Sequence, residues 1–172
     1  MKIVNRYFIR AVLLLFLTAC NATDSSNKEA AMLKGTEKKY VIFSPMEGVL
    51  LKDGKPLAHT KIIRTLRWNG NDDTGLVEEF STDENGNFLL PLHEEALSLG
   101  MLSQFVGKAD LEVDINNQKE YIWTSSKFSS NVYSETNGPI NNLVCDMSFE
   151  EIAVPMSPTA ILTRCRWNDM PN

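Results

Sequence analysis

The sequence has few of the residues and none of the local motifs that hydrolytic and metal-dependent enzymes use. It contains only two histidines, His59 and His93, and no second histidine follows His93 at the spacing that a zinc protease helix requires. No Gly-x-Ser-x-Gly elbow and no phosphate-binding glycine loop occurs. Adjacent acids such as Glu78 and Glu79 face opposite ways in a strand, so they cannot act on one bond. The sequence therefore predicts a non-enzymatic protein without a cofactor.

The chain also lacks an apolar run long enough to cross a bilayer. Its apolar run, Ala11–Leu17, falls well short of the ~20 residues that a transmembrane helix needs. Lys2, Arg6 and Arg10 precede this run, and Leu17-Thr18-Ala19-Cys20 closes it, which is the pattern of a secretory signal peptide. The leader resembles the lipobox of bacterial lipoproteins. That resemblance implies cleavage before Cys20, which would carry the lipid; an uncleaved signal anchor is the alternative.

This interpretation divides the chain into three parts. Residues 1–19 are the signal peptide, 20–39 are the lipidated Cys20 with a polar, flexible tether, and 40–168 form a single domain. In enterobacterial lipoproteins, an aspartate directly after the lipidated cysteine resembles a signal for retention in the inner membrane. Here that position is occupied by Asn21 instead. We therefore expect an outer-membrane lipoprotein that faces the periplasm.

Cysteine is scarce, and the number of cysteines, three, is odd. An odd number in an exported protein normally indicates an unpaired thiol, but lipidation of Cys20 would leave Cys145 and Cys165 to pair in an oxidising compartment. A bridge closing a loop of about twenty residues would stabilise the fold by about 3 kcal/mol. The alternative is two buried thiols that never meet.

Acidic residues outnumber basic ones. The formal charge is −5, and removal of the three cations of the leader takes it to −8. Nucleic acid and anionic lipid headgroups are therefore poor partners, whereas a basic protein surface is a suitable one. The acidic clusters are nevertheless better explained as solvated loops and exposed strand faces than as a binding surface.

From Tyr40 onward, short apolar runs alternate with turn residues, which is typical of an all-β domain. Asp53-Gly54 is a strong hairpin signal. The stretch His93–Leu99, ended by Gly100, is the one place where we expect a short helix. The expected strands are Tyr40–Phe43, Gly48–Leu51, Thr60–Trp68, Leu76–Ser81, Asn87–Leu90, Leu111–Ile115, Glu120–Thr124, Leu143–Met147 and Thr159–Trp167.

Three segments carry a resemblance to known domains. Gly48–Leu51, Gly54–Ala58 and Thr82–Phe88 resemble the sandwich of transthyretin-like and carboxypeptidase regulatory-like domains. Phe43-Ser44-Pro45-Met46-Glu47-Gly48 is similar to a signature of an uncharacterised bacterial lipoprotein domain family. The resemblance covers Tyr40–Pro91 and implies a small β-sandwich that acts as a folding support, spacer or binding module, without enzyme activity.

Arginine and tryptophan mark the candidate binding residues, because these side chains are enriched at interface hot spots. They form two clusters: Arg64, Arg67 and Trp68, and Arg164, Arg166 and Trp167. The alternative is that the tryptophans fill the core while the arginines extend from its edge. Trp123 is expected in the core.

One turn has the alternating oxygen ligands of a calcium loop. Asp83, Asn85 and Asn87 alternate, and Glu94 lies where a closing carboxylate would, but Phe88 occupies the position where an EF-hand needs glycine. We expect instead that Asp83 accepts hydrogen bonds within its turn and that Phe88 enters the core. No metal site is predicted.

Together these features predict a membrane-anchored periplasmic lipoprotein that binds a protein partner. The most specific form of this prediction is an immunity protein that neutralises a toxin acting in the periplasm, such as a lipase or a peptidoglycan-cutting enzyme. The alternatives are a structural accessory lipoprotein of an envelope assembly and a glycan-binding module that would use exposed tryptophans.

Overall fold

A computed structural model describes residues 35–171, so the predicted signal peptide, Cys20 and most of the predicted tether lie outside the described residues. The described part is all-β, as the sequence predicts. Among these residues no helix has the length and hydropathy to cross a membrane. The strands are β1 (Lys38–Phe43), β2 (Met46–Lys52), β3 (Lys55–Pro56), β4 (Lys61–Trp68), β5 (Leu76–Ser81), β6 (Asn87–Leu90), β7 (His93–Leu97), β8 (Gly107–Ile115), β9 (Gln118–Lys127), β10 (Leu143–Asp146), β11 (Ile152–Met156), β12 (Thr159–Thr163) and β13 (Cys165–Arg166).

Six strands form the large sheet, in the order β11-β12-β9-β8-β4-β5. Every neighbouring pair in it is antiparallel. In β4, Ile62, Leu66 and Trp68 share the inner face because side chains alternate along a strand. Asn116 and Asn117, with φ of 54° and 64°, join β8 to β9 in a hairpin between two of the expected strands, since asparagine tolerates the left-handed region.

Five strands form the small sheet, in the order β13-β10-β2-β3, with β6 also paired to β2. The β10–β2 pair is parallel, while the other pairs are antiparallel. Asp53 and Gly54, with φ of 52° and 72°, connect β2 to β3 as predicted. A Cβ at Gly86 would lie 2.6 Å from the carbonyl oxygen of Leu50, so glycine is required where the turn before β6 approaches β2.

A two-stranded ribbon of β1 and β7 completes the described structure. The prediction of a helix over His93–Leu99 is wrong, because His93–Leu97 pairs antiparallel with β1. His93, Glu95 and Leu97 are half-buried while Glu94 and Ala96 are exposed, which is the alternation of a strand. The hydrogen bonds along β1 outweigh the helical preference of this short segment, and a helix would leave that edge of β1 unpaired.

The inward side chains of both sheets and of β1 form one hydrophobic cluster, as in a small β-sandwich. The small sheet contributes Leu50 and Leu90, and the large sheet contributes Ile62, Leu111 and Ile161. Cys145 on β10 lies directly opposite Cys165 on β13, and the two are joined. The predicted disulfide is therefore confirmed, and it links the last strand, β13, covalently to its neighbour β10 within the small sheet.

Candidate functional site

The outer face of the large sheet carries exposed aromatic, basic and aliphatic side chains. The strand register aligns five outward positions in one row: Leu162, Thr124, Asp110, Thr65 and Val77. Arg67 follows Thr65 on the same face of β4, and Tyr121 lies opposite Glu112 in the neighbouring row. We define the outer patch as Arg67, Val77, Asp110, Tyr121 and Leu162.

The centre of the outer patch is fixed by hydrogen bonds to one carboxylate. Arg67 Nη1 donates to Asp110 Oδ2 at 2.8 Å, and Thr124 Oγ1 donates to Asp110 Oδ1 at 2.9 Å. The Arg67 side chain nevertheless remains 36% exposed. An ion pair this accessible contributes little to stability. Its effect is to hold a guanidinium in one orientation at the surface, where a partner can reach it.

The surroundings of Tyr121 disfavour its ionisation. The charge of Glu112, partial burial and the charge of Asp110 raise the pKa of Tyr121 above its ordinary value. A tyrosine phenol is protonated at neutral pH in any case, so Tyr121 can donate a hydrogen bond. Because Tyr121 is 51% exposed, it presents both this donor and a ring face. Val77 and Leu162, 58% and 44% exposed, flank this polar centre with apolar surface.

Arg64, one of the predicted binding residues, is fully buried and unavailable to a partner. Its Nε and Nη2 donate to Glu78 Oε2 at 2.9 and 2.7 Å, and its Nη1 donates to the carbonyl of Pro91 at 2.6 Å. The guanidinium carbon lies 4.6 Å from the ring centroid of Phe43 and 4.9 Å from that of Phe80. Arg64 belongs to the inner face of β4, so its charge is satisfied within the sandwich.

The tryptophans pack inside the fold. Trp68 is 9% exposed, and its ring centroid lies 5.6 Å from that of His93. Trp123 is 1% exposed, which confirms its predicted place in the core. Trp167 is half-buried and packs on Trp123 with 5.6 Å between ring centroids. Both clusters thus use their tryptophans for packing, which is the alternative that the sequence left open.

The second arginine cluster binds backbone rather than forming a joint surface with the first. Arg164 Nη1 donates to the carbonyl of Phe149 at 2.7 Å, and Arg166 Nη2 donates to that of Glu150 at 3.0 Å. Arg166 lies on β13 of the small sheet, whereas Arg64 and Arg67 lie on β4 of the large sheet. The two clusters therefore do not meet, and Arg67 is the predicted binding residue that lies in the outer patch.

Sequence reasoning missed a buried ion pair at the end of β9. Lys127 and Glu135 are 4% and 7% exposed. Lys127 Nζ donates to Glu135 Oε2 at 2.8 Å, to the carbonyl of Asn131 at 2.9 Å and to Ser44 Oγ at 3.5 Å. Burial lowers the pKa of Lys127 below its ordinary value, against the opposing charge of Glu135.

The geometry of this pair assigns it a structural role. Three acceptors surround the ammonium group of Lys127, so it is a poor candidate for a general base. Ser44 N donates to Glu135 Oε1 at 3.1 Å, so the same carboxylate also binds the corner between β1 and β2. The signal in the sequence was the alternation along β9, which places Lys127 on the inner face with Trp123 and Ser125.

The Asp83 turn has the structural role that the sequence predicts. Asp83 Oδ1 accepts hydrogen bonds from the backbone N–H groups of Asn85 and Asn87, both at 2.8 Å, and Oδ2 accepts one from Asn87 Nδ2 at 2.8 Å. These bonds, with Asn87 as the main donor, lower the pKa of Asp83. Phe88 is 4% exposed and lies in the core, as predicted. Within residues 35–171 no group of three or more His, Cys, Asp or Glu side chains is placed to hold a metal ion.

Comparison with known families places most of this sandwich in one family. A family profile described as Domain of unknown function (DUF6795) matches residues 46–150, which is more than half of the chain. The chain belongs to this family. The DUF6795 match runs from the start of β2 past the end of β10, so it contains Arg67, Val77, Asp110 and Tyr121 of the outer patch. Searches of curated proteins and of solved structures found no match.

Proposed function

We propose that this DUF6795 protein is a lipid-anchored envelope protein whose sandwich binds another protein without catalysing a reaction. The outer patch is the observation that carries the proposal. Arginine and tyrosine dominate interface hot spots, because each combines a large contact area with a directional donor. Here Arg67 and Tyr121 lie between two exposed aliphatic side chains, Val77 and Leu162, and Asp110 fixes the guanidinium.

The proposed location is the outer membrane, with the domain facing the periplasm and the lipid on Cys20. The Cys145–Cys165 bond supports it, because structural disulfides persist in oxidising compartments. We include in the proposal that the sandwich is of the transthyretin-like or carboxypeptidase regulatory-like type. The tight turns at Asp53-Gly54 and Asp83–Gly86 support that part.

The proposed partner is a toxin that acts in the periplasm, which the protein neutralises as an immunity protein. The charge of −8 that remains once the leader is removed favours association with a basic partner. The rival proposal is an accessory role in an envelope assembly. A glycan-binding role has less support, because it needs exposed tryptophans and Trp68 and Trp123 are only 9% and 1% exposed.

The test is capture of the lipidated protein from envelope extract while the neighbouring genes are expressed. We expect one toxic enzyme in a near one-to-one ratio, and a loss of affinity of at least about tenfold when Arg67→Ala is combined with Tyr121→Ala. Leu89→Ala is the matched control, since Leu89 is 65% exposed on the small sheet. If Leu89→Ala weakens capture and the double variant does not, the contact surface is the small sheet.

Two further results decide the nature of the partner. Recovery of several envelope assembly components in place of a single enzyme would contradict the immunity proposal and support the accessory role. Deletion of the gene should sensitise cells only when the toxin gene is present. Sensitivity without that gene would equally contradict immunity.

A further inference from the structure

The loop between β7 and β8 presents two large apolar side chains to solvent. Met101 and Leu102 are 84% and 94% exposed, more than any other large hydrophobic side chain in residues 35–171. The whole stretch 96–107 contains no charged residue. Surface loops usually carry polar or charged residues, so an exposed apolar tip in an uncharged segment indicates a contact with an apolar environment.

The loop is held so that its tip stays away from the core. Phe105 is 6% exposed, and its ring centroid lies 4.9 Å from that of Tyr40 on β1. Asn69 Nδ2 donates to the carbonyl of Gln104 at 2.9 Å, and the Val106 N–H donates to Asn69 Oδ1 at 2.7 Å. These bonds fix one arm of the loop, while Met101 and Leu102 project beyond it.

The other arm of the loop lies where the described chain begins. A Cβ at Gly35 would overlap the carbonyl oxygen of Leu99, so the backbone of Gly35 packs directly against the loop. If Cys20 carries a lipid, residues 21–34 alone separate that lipid from Gly35. Fourteen residues reach at most about 50 Å when fully extended. The tip therefore lies within reach of the bilayer that holds the lipid.

The charges beside the loop nearly cancel, because Glu37, Glu94 and Glu95 lie near Lys38 and Lys39. Lys38 and Lys39 on β1 lie opposite Leu97 and Ala96. Lys39 Nζ is 3.7 Å from Glu94 Oε2, so part of this positive charge is balanced, while the uncharged loop itself adds no repulsion. An uncharged loop with an apolar tip can therefore insert into the interfacial region of a zwitterionic bilayer, where burial of its apolar surface is favourable.

We propose that Met101 and Leu102 insert into the interfacial region of the membrane and so orient the sandwich on its surface. This inference rests on the proposed lipid anchor, because the anchor brings the loop to the membrane. The lipid holds the chain at the membrane, and a second apolar contact adds buried area that fixes how the sandwich is oriented there. The loop is thus a second point of attachment beside the lipid.

The test places a tryptophan at the tip of the lipidated full chain. Leu102→Trp is reconstituted into phosphatidylcholine vesicles with and without lipids brominated along the acyl chains. We expect a blue shift and a loss of the added emission in brominated vesicles, after subtraction of the wild-type signal. Val132→Trp is the matched control, since Val132 is 47% exposed in the loop between β9 and β10. Equal quenching of both variants, or none at Leu102→Trp, would overturn the inference.

Failure of the anchor and failure of the inference give different results. If mass spectrometry finds no lipid on Cys20 and the protein is recovered in the soluble fraction, the proposed function fails. A lipidated, membrane-bound chain whose Leu102→Trp emission is unquenched removes the loop contact alone. Shielding of that tryptophan only after periplasmic extract is added would mean that the tip binds a protein, which also overturns the membrane contact.

Discussion

Arg64 and Lys127 are both cations that the large sheet buries on its inner face, but they are satisfied in different ways. Arg64 binds Glu78, which lies directly opposite it on the neighbouring strand β5. Lys127 binds Glu135, which lies in the irregular segment between β9 and β10. The Glu78 side chain is 29% exposed, whereas that of Glu135 is 8% exposed.

The difference shows how much each ion pair depends on one partner. Arg64 also binds the Pro91 carbonyl and contacts two aromatic rings, and water can reach Glu78. Lys127 has one buried carboxylate, and that carboxylate also accepts the Ser44 N–H. The Lys127–Glu135 pair therefore fastens a long loop to the sandwich, whereas the Arg64–Glu78 pair reinforces a hairpin that the sheet already holds.

Removal of Glu135 should have the largest effect. Glu135→Ala leaves Lys127 buried without a counter-charge, and we expect it to lower the free energy of unfolding by about 3–5 kcal/mol. Urea denaturation measures this loss. Limited proteolysis should show new cleavage within residues 128–142, because the loop loses its attachment.

The control replaces both members of the pair. Lys127→Met combined with Glu135→Leu removes both charges and keeps comparable volume, so we expect it to lose far less stability than Glu135→Ala. If the single and double variants lose the same amount, the cost comes from packing around the loop and not from the unpaired lysine.

Removal of Glu78 should cost less. Glu78→Ala leaves Arg64 with its carbonyl and ring contacts and opens a path for water, so we expect a loss of about 2 kcal/mol in the same denaturation experiment. A loss equal to that of Glu135→Ala would show that exposure of the partner does not distinguish the two pairs.

Replacement of Asp146, whose carboxylate accepts hydrogen bonds from two turns, should cause the smallest of these losses of stability. Its carboxylate is 3% exposed and accepts the backbone N–H groups of Asp53 and Gly54 at 3.1 and 2.8 Å and that of Ser148 at 2.9 Å. We expect Asp146→Asn to cost about 1.5 kcal/mol at neutral pH. Asp83→Asn is the matched control and should cost less, because Asp83 binds only within its own turn.

The effect of Asp146 should also depend on pH. Burial alone would raise the pKa of Asp146, but hydrogen bonds from Ser148, Gly54 and Asp53 together lower it below its ordinary value. A carboxyl whose pKa is lower in the folded state stabilises the protein above its unfolded pKa and loses this contribution as the pH falls. The advantage of the wild type over Asp146→Asn should therefore shrink below about pH 4, as measured by urea denaturation. An advantage that stays constant to pH 2 would contradict this cause.

Features that depend on neighbours in sequence could be predicted. The alternation in β4 and the turns at Asp53-Gly54, Asp83 and Asn116-Asn117 follow from side-chain periodicity and from residues that accept positive φ. The segment His93–Leu97 could not be predicted, because its strand exists only through pairing with β1, about fifty residues away in sequence.

The same limit applies to the candidate site. Arg67 was singled out by its residue type, but the outer patch also needs Tyr121 and Leu162, which the order β12-β9-β8-β4 brings beside it. A sequence pattern shows which side chains alternate, and it does not show which strands become neighbours. The alternation in β4 already puts Arg64 on the face of Ile62 and Leu66, but its partner Glu78 becomes visible only from the register of β4 and β5.

The parallel pairing of β2 with β10 has a consequence for how the chain acquires its structure. Strand β2 (Met46–Lys52) can pair with β10 only when Leu143–Asp146 is available. Strand β10 pairs with β13 (Cys165–Arg166) on its other side. Nearly all of the described residues must therefore be available before the small sheet is complete. Pairing over such separations is slow, so the newly made polypeptide is expected to spend a long interval with its apolar segments uncovered and to depend on chaperones during that time.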